Sequence, residues 1–268
     1  MPSLVAVVVA EDSAALLPAC IGALAASHVP ALVVDAASRD GSAAVAEAQG
    51  ARVIRLACHE GFAQACNAGV RAARGARFVL LVPPDATLDP GAADALLAAA
   101  ARHPQAILFA PRIVAPDPVL RPGTCLMARR DLFLAHGGFD EMIVQFHEEE
   151  DLRRRLARRA GACIAVPEAV VRRARPDRPR PSLLYRLSWH RAWSQAYVAR
   201  KHGLPDPAPS LLATHAARAL IALPTFDRKR IAADCGAAAG ALAALRGRSA
   251  PVGPSRPDRR DGPNPLRA

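Results

Sequence analysis

Apolar residues in the first third of the chain come in short unbroken runs. LVAVVVA at 4–10, ALVVD at 31–35, RVIRL at 52–56 and RFVLLV at 77–82 are of strand length and rich in β-branched residues, which predicts four strands. Alanine-rich segments of helical length separate them. One helix is expected over about 14–26, capped from Asp12 or Ser13, and a second over about 42–49, stopped by Gly50. Near-continuous apolar strands alternating with helices predict an α/β fold with a parallel sheet covered on both faces, where ligands gather beyond the carboxyl ends of the strands. The loops after Val34, Leu56 and Val82 are therefore where chemistry is expected.

Past residue 103 the spacing becomes irregular. AILFA at 106–110, TCLMA at 124–128 and CIAV at 163–166 are short strand candidates, consistent with a mixed extension of the sheet. A helix is predicted over about 148–160, with acids Glu148, Glu149, Glu150 and Asp151 at its positive end, arginines toward its negative end and a stop at Gly161. RPDRPRP at 175–181 reads as a linker, three helices are expected at about 182–202, 208–222 and 227–246, and the proline-rich basic tail reads as disordered. The expected division is a main domain over 1–174, the linker, a helical extension over 182–246 and a tail over 247–268.

With 268 residues, 51% of them hydrophobic, the chain can bury one sizeable core plus an appendage. Its six cysteines are scattered, form no CxxC pair and follow no secretory-type N-terminus, so a reduced, cytoplasmic protein is expected. The best candidate for a membrane span, around 208–224, is interrupted by His215 and Arg218. The net charge of +11 is unevenly distributed: residues 1–152 sum to −6 and residues 153–201 to +12. Either the basic segment meets an anionic partner, or it is a solvated arginine face.

In VVDAASRDGS, Asp35 ends the second strand and Asp40 follows it; either carboxylate can accept from a base N–H or a ribose hydroxyl, or the pair can simply terminate a strand and form a turn. In LVPPDATLDPG, Asp85 is presented beyond the fourth strand, either as a ligand for a divalent cation bridging a diphosphate or as an ordinary turn residue. Trp189, Trp193 and Tyr197 recur on one helix face, a pattern that reads as core packing before it reads as a sugar platform. The histidines show no metal-ligand spacing.

These pieces, taken in order with GFAQACNAG at 61–69, GGFDE at 137–141 and EEEDLRRRLARRAG ending at Gly161, resemble glycosyltransferase family 2 over roughly residues 4–172. The likeness extends to the bacterial rhamnosyltransferases of that family. It implies a GT-A fold, a Rossmann-like nucleotide-binding front half and an acceptor-binding back half. It also implies inverting transfer from a nucleotide-diphosphate sugar, dTDP-rhamnose-like, to a glycan or lipid-linked acceptor, with an anionic membrane surface as a further partner. By the same resemblance Asp35, Asp40, Asn67, Asp85 and Arg173 fall on the donor. Asp85 also falls on Mg2+ or Mn2+; Gly138, Phe139 and Asp140 fall on the acceptor; Glu148 and Glu149 fall on the reaction centre, with Glu149 as the base.

The departures are specific. Ala10, Glu11, Asp12 and Ser13 replace the usual turn after the first strand, Pro83 stands where the metal motif normally begins, Glu149 replaces an aspartate, and Arg172 or Arg173 replaces a histidine. They motivate one alternative, a degenerate member that binds without turnover. The +12 segment motivates a second, an arginine-rich nucleic-acid-binding protein, but no RNA motif or helix-turn-helix accompanies it, and nucleic acid is not expected as a partner. A dinucleotide-dependent oxidoreductase would need a GxGxxG after the first strand, which is missing.

Overall fold

In the computed structural model the structure describes residues 3–58, 61–115, 125–157, 162–174 and 180–251. The four predicted strands form as β1 (Leu4–Ala10), β2 (Ala31–Asp35), β3 (Arg52–Arg55) and β4 (Phe78–Val82), all parallel where they pair. The sheet then continues with β5 (Ala86–Leu88), β6 (Leu108–Val114), β7 (Leu126–Arg129) and β8 (Cys163–Arg173), in the order β3-β2-β1-β4-β7-β6-β8-β5. β7 runs antiparallel to both β4 and β6, so the expected mixed extension forms, although β6 and β8 reach well past the segments predicted for them. β5 was not foreseen. Its three residues pair antiparallel with the end of β8, Ala86 opposite Arg173.

Alternation along β1 sends successive side chains to two separate cores. Leu4, Ala6, Val8 and Ala10 pack with Leu17, Cys20, Ile21 and Leu24 of α1 (Leu17–Ala26), on the face also covered by α2 (Ser42–Ala48) and α4 (Ala92–Arg102). Val7 and Val9 pack with α3 (Phe62–Ala72), α5 (Arg130–Ala135) and α6 (Glu148–Leu156) on the other. The cap expected at the first helix is corrected: α1 begins at Leu17 without a side-chain cap, because Asp12 and Ser13 bond across to the loop after β2. The predicted end of the 148–160 helix, most of the linker and most of the tail lie outside the described residues.

The three C-terminal helices form as α7 (Pro181–Lys201), α8 (Ala208–Ala222) and α9 (Arg228–Leu245), with a short 3-10 turn at Leu223–Thr225. α9 lies against α7 through Gly236 and Gly240, where a Cβ would come within 2.2 Å of the Tyr185 and Trp189 carbonyl oxygens respectively. The rings of Trp189, Trp193 and Tyr197 stack in sequence, at centroid spacings of 6.4 and 5.1 Å, within the core shared by these helices. They are packing residues, as their spacing suggested. Among the described residues no helix is long and apolar enough to cross a membrane.

Gly69 lets α3 lie flat on the sheet, since a Cβ there would sit 2.3 Å from Val7 Cγ1 and 2.9 Å from Val34 Cγ2. Gly69→Ala is therefore expected to cost about 1–3 kcal/mol in urea denaturation. Adding Val7→Ala should recover part of that loss, because both changes act on one contact. Simple additivity of the two penalties would rule out this steric account.

Candidate active site

The carboxyl ends of β1 and β2 carry two loops zipped together by short polar side chains. Arg39 N–H donates to Asp12 Oδ1 at 2.7 Å, Ser13 N–H to Ser42 Oγ at 2.8 Å, and Ala14 N–H to Asp40 Oδ2 at 2.8 Å. Asp40 also accepts from the Ser42 backbone and hydroxyl. Although its slight burial works the other way, the hydrogen bonds from Ser42 and Ala14 hold the Asp40 carboxyl below its ordinary range. Asp40 is thus engaged in shaping the loop beside Asp35. Asp35 itself is buried, and its Oδ1 has no hydrogen-bond partner. A buried carboxylate oxygen without a donor is costly, so this atom is a preformed acceptor for an N–H or O–H from a ligand.

Asp85 lies between the ends of β4 and β5, and the unforeseen β5–β8 pairing brings Arg173 onto it. Arg173 Nη2 is 2.7 Å and Nε 3.1 Å from Asp85 Oδ1, with both side chains largely buried. Among the described residues no three His, Cys, Asp or Glu side chains converge as metal ligands. A cation on Asp85 would therefore meet a carboxylate already held by a guanidinium, which supplies positive charge at the same place. Arg172, the other candidate for the histidine position, turns outward to Asp89.

The first turn of α6 follows Phe146 and His147, both in left-handed backbone conformation. Glu148 points inward and is buried, with Oε2 unpartnered. Burial, and secondarily the Glu149 charge, push its carboxyl up to about 7. Glu149 is partly exposed, at 35% of its side chain, and stands 4.0 Å from Arg153. Of the two glutamates it is the one an incoming hydroxyl can reach. Glu150 pairs with His147 and Arg154 on another side of the helix. Asp151 is completely buried rather than an exposed helix-start charge. Arg155 Nε at 2.8 Å, Lys201 Nζ at 2.7 Å and His202 Nε2 at 2.9 Å surround it.

The GGFDE turn is held by hydrogen bonds within the fold. Asn67 donates to the Phe139 carbonyl and accepts from the Phe139 N–H, both at 2.9 Å, so the amide placed on the donor by resemblance clamps this turn. Gly138 is left-handed, and a Cβ there would sit 2.5 Å from Asn67 Oδ1. Phe139 is buried edge-on against Phe133 at 5.2 Å. Asp140 accepts from Lys201 at 2.7 Å and Tyr197 at 2.9 Å. An open cavity of about 330 Å³ is lined here by residues that include Asn67, Arg71, Phe139, Asp140, Arg155 and Lys201. Of the residues expected on the acceptor, Phe139 and Asp140 line this cavity. Sequence reasoning missed Lys201 and His202, which hold α6; the only hint was a buried-type acid, Asp151, among charges of one helix.

A family model described as glycosyl transferase family 2 matches residues 4–160. A curated relative, the N-acetylglucosaminyl-diphospho-decaprenol L-rhamnosyltransferase of Mycobacterium tuberculosis (strain H37Rv), is 26% identical over 171 residues. That match takes in 47% of this chain and 56% of the relative, so the chain spans about half the length of the curated relative it matches. Among solved structures, the mannosyltransferase PcManGT from Pyrobaculum calidifontis, in complex with GDP-Man and Mn2+, superposes with a TM-score of 0.63. It is 18% identical, covering 91% of this chain and 87% of that one. Glucosyl-3-phosphoglycerate synthase from Mycobacterium tuberculosis, in complex with Mn2+, UDP-glucose and phosphoglyceric acid, gives 0.58 at 20% identity, covering 76% and 81%. The fold is that of the GT-A glycosyltransferases.

The raised value of Glu148 sets a sign for pH dependence. Its folded-state value, about 7, lies above the ordinary 4.5, so its contribution to stability is fully present below about 4.5 and is lost as pH rises through about 7. The loss should be on the order of 3 kcal/mol. Glu148→Gln should be more stable than the wild type at about pH 8, with the difference closing toward pH 4.5 in thermal melts. Parallel stability curves would place the ionised carboxylate in a solvated site instead.

Proposed function

Because the chain belongs to glycosyl transferase family 2 and is a glycosyltransferase, we propose that it moves a sugar with inversion from a nucleoside-diphosphate donor to a glycan or lipid-linked acceptor in cell-envelope synthesis. The observation that carries this reading is the unpartnered, buried Asp35 Oδ1 at the carboxyl edge of the sheet, an acceptor awaiting a nucleoside donor group. A rhamnosyl donor, dTDP-rhamnose-like by the family resemblance, and a polyprenol-linked acceptor are favoured by the likeness to the mycobacterial N-acetylglucosaminyl-diphospho-decaprenol L-rhamnosyltransferase. On that reading the protein works at the inner face of the plasma membrane.

In the proposed reaction Asp35 holds the nucleoside, and Glu149 accepts the proton of the acceptor hydroxyl as that oxygen bonds to the anomeric carbon. The bond from the anomeric carbon to the diphosphate oxygen breaks on the opposite face, and the diphosphate leaves with the electron pair. Arg173, oriented by Asp85, offsets the charge that develops on the leaving group. Solved neighbours contain Mn2+. A cation bound here would share Asp85 with Arg173, which already neutralises that carboxylate.

Glu149→Gln is expected to keep donor affinity while lowering turnover by about 10²-fold or more. Glu150→Gln, whose carboxylate is committed to His147 and Arg154, should change turnover little. Wild-type transfer rates in both variants would remove Glu149 as the base. Donor titrations by calorimetry are expected to show binding in EDTA as well as in Mn2+, weakened by about tenfold or more in Arg173→Gln and largely retained in Arg173→Lys. An absolute need for the cation in the wild type would return the diphosphate to a metal on Asp85. Donor binding without any turnover would favour the degenerate-member reading, which the Arg173–Asp85 pairing also motivates.

A further inference from the structure

The turn joining α8 to α9 exposes a run of large apolar side chains that the fold does not cover. Leu220 is 67% exposed, Ile221 68%, Leu223 52% and Phe226 85%. Phe226 adopts a left-handed backbone conformation that ends the 3-10 turn. Three consecutive cations, Arg228, Lys229 and Arg230, follow at once and are exposed, and Arg218 precedes the run by less than a turn. Among the described residues no ion pair engages any of these four. The one acid in the turn, Asp227, is turned back to cap α9, accepting from the Lys229 and Arg230 backbone N–H groups at 3.1 Å.

We propose that this turn is a membrane-docking tip: Leu220, Ile221, Leu223 and Phe226 enter the apolar margin of an anionic bilayer while Arg228, Lys229 and Arg230 bind its headgroups. An apolar wedge ringed by cations is the surface chemistry that a negatively charged lipid interface complements. A second copy of the chain fits less well, because a two-fold contact centred on the turn would bring the cationic runs of both copies together.

The placement of the tip fits that use. Tyr185 meets Gly236 and Trp189 meets Gly240, so α7 and α9 run parallel. Near its own start α7 is tied by Arg186 to Glu11 at 3.2 Å, in the loop beyond β1 at the carboxyl edge of the sheet. Counting back eight residues from Gly236, Arg228 lies about 12 Å further toward that same end, at 1.5 Å per residue. The tip therefore projects beyond the end of α7 that is tied to the loop after β1, so that docking would hold that edge of the molecule toward a lipid-linked acceptor. This last point rests on the acceptor class proposed above; the docking itself rests on the surface alone.

The test is flotation of the full chain with phosphatidylcholine vesicles, with and without about 30 mol % phosphatidylglycerol. Donor hydrolysis and melting temperature are measured on the same preparations. The wild type should float with the anionic vesicles and poorly with the neutral ones. Leu223→Ser with Phe226→Ser should lower partitioning by about tenfold or more. Arg228→Glu with Lys229→Glu and Arg230→Glu should abolish the anionic preference, in a fold that tolerates acids in the first turn of a helix. Melting temperature and donor hydrolysis should stay at wild-type values in both variants. Undiminished flotation of the apolar variant would overturn the proposal, as would a wild-type dimer that the same variant converts to monomer in sedimentation velocity. Flotation as expected without donor hydrolysis by the wild type would leave the tip in place and sink the glycosyl-transfer reading instead.

Discussion

The carboxylate of Asp151 is the point on which the two parts of the molecule turn. It is completely buried, one helical step from Glu148 and Glu149, and is compensated by Arg155 from its own helix and by Lys201 and His202 from the end of α7. Although burial works the other way, these three partners hold its carboxyl below the ordinary value. A buried charge so arranged is stable only while its partners stay in place, and losing one typically costs about 3–5 kcal/mol. Asp140 accepts from the same Lys201, and the Ser194 hydroxyl of α7 donates to the Gln145 carbonyl just before α6. The helix that presents Glu149 is thereby fixed to α7, on which α9 and, through it, α8 are built.

The same economy explains the uneven charge of the chain. Among the described residues, acids of the first part pair with cations of the basic middle segment: Glu149, Glu150 and Asp151 with Arg153, Arg154 and Arg155, Asp85 with Arg173, Asp89 with Arg172, and Glu11 with Arg186. The exposed members of this set contribute little stability individually. Among the described residues, the turn before α9 carries cations with no ion pair, Arg228, Lys229 and Arg230.

What was legible in the sequence is what local periodicity encodes. LVAVVVA, ALVVD and RFVLLV are strands whose apolar runs are buried almost throughout, and the i, i+4, i+8 aromatics declare a packed helix face. β5 was illegible because Ala86–Leu88 is too short to show a period and is a strand only by virtue of β8, more than eighty residues away. That one pairing turned Asp85 from a lone loop carboxylate into half of a buried ion pair. The bond between Asn67 and Phe139 was illegible for a related reason: their letters fit a ligand site, whereas the two-way hydrogen bond between them depends on α3 and the turn after α5 meeting in space. Asp40 likewise reads as a ligand until the loop after β1 is seen to donate to it.

The account converges on Asp35, whose buried Oδ1 is left for something outside the chain to satisfy. The most direct measurement is calorimetric titration of the wild type and of Asp35→Ala with dTDP-, UDP- and GDP-sugars. At least one of the three should bind the wild type with a dissociation constant in the micromolar range, about −8 kcal/mol or weaker, and lose most of that affinity in the variant. Failure of all three to bind, or binding indifferent to Asp35, would contradict the reading of this sheet edge as a nucleotide-sugar site.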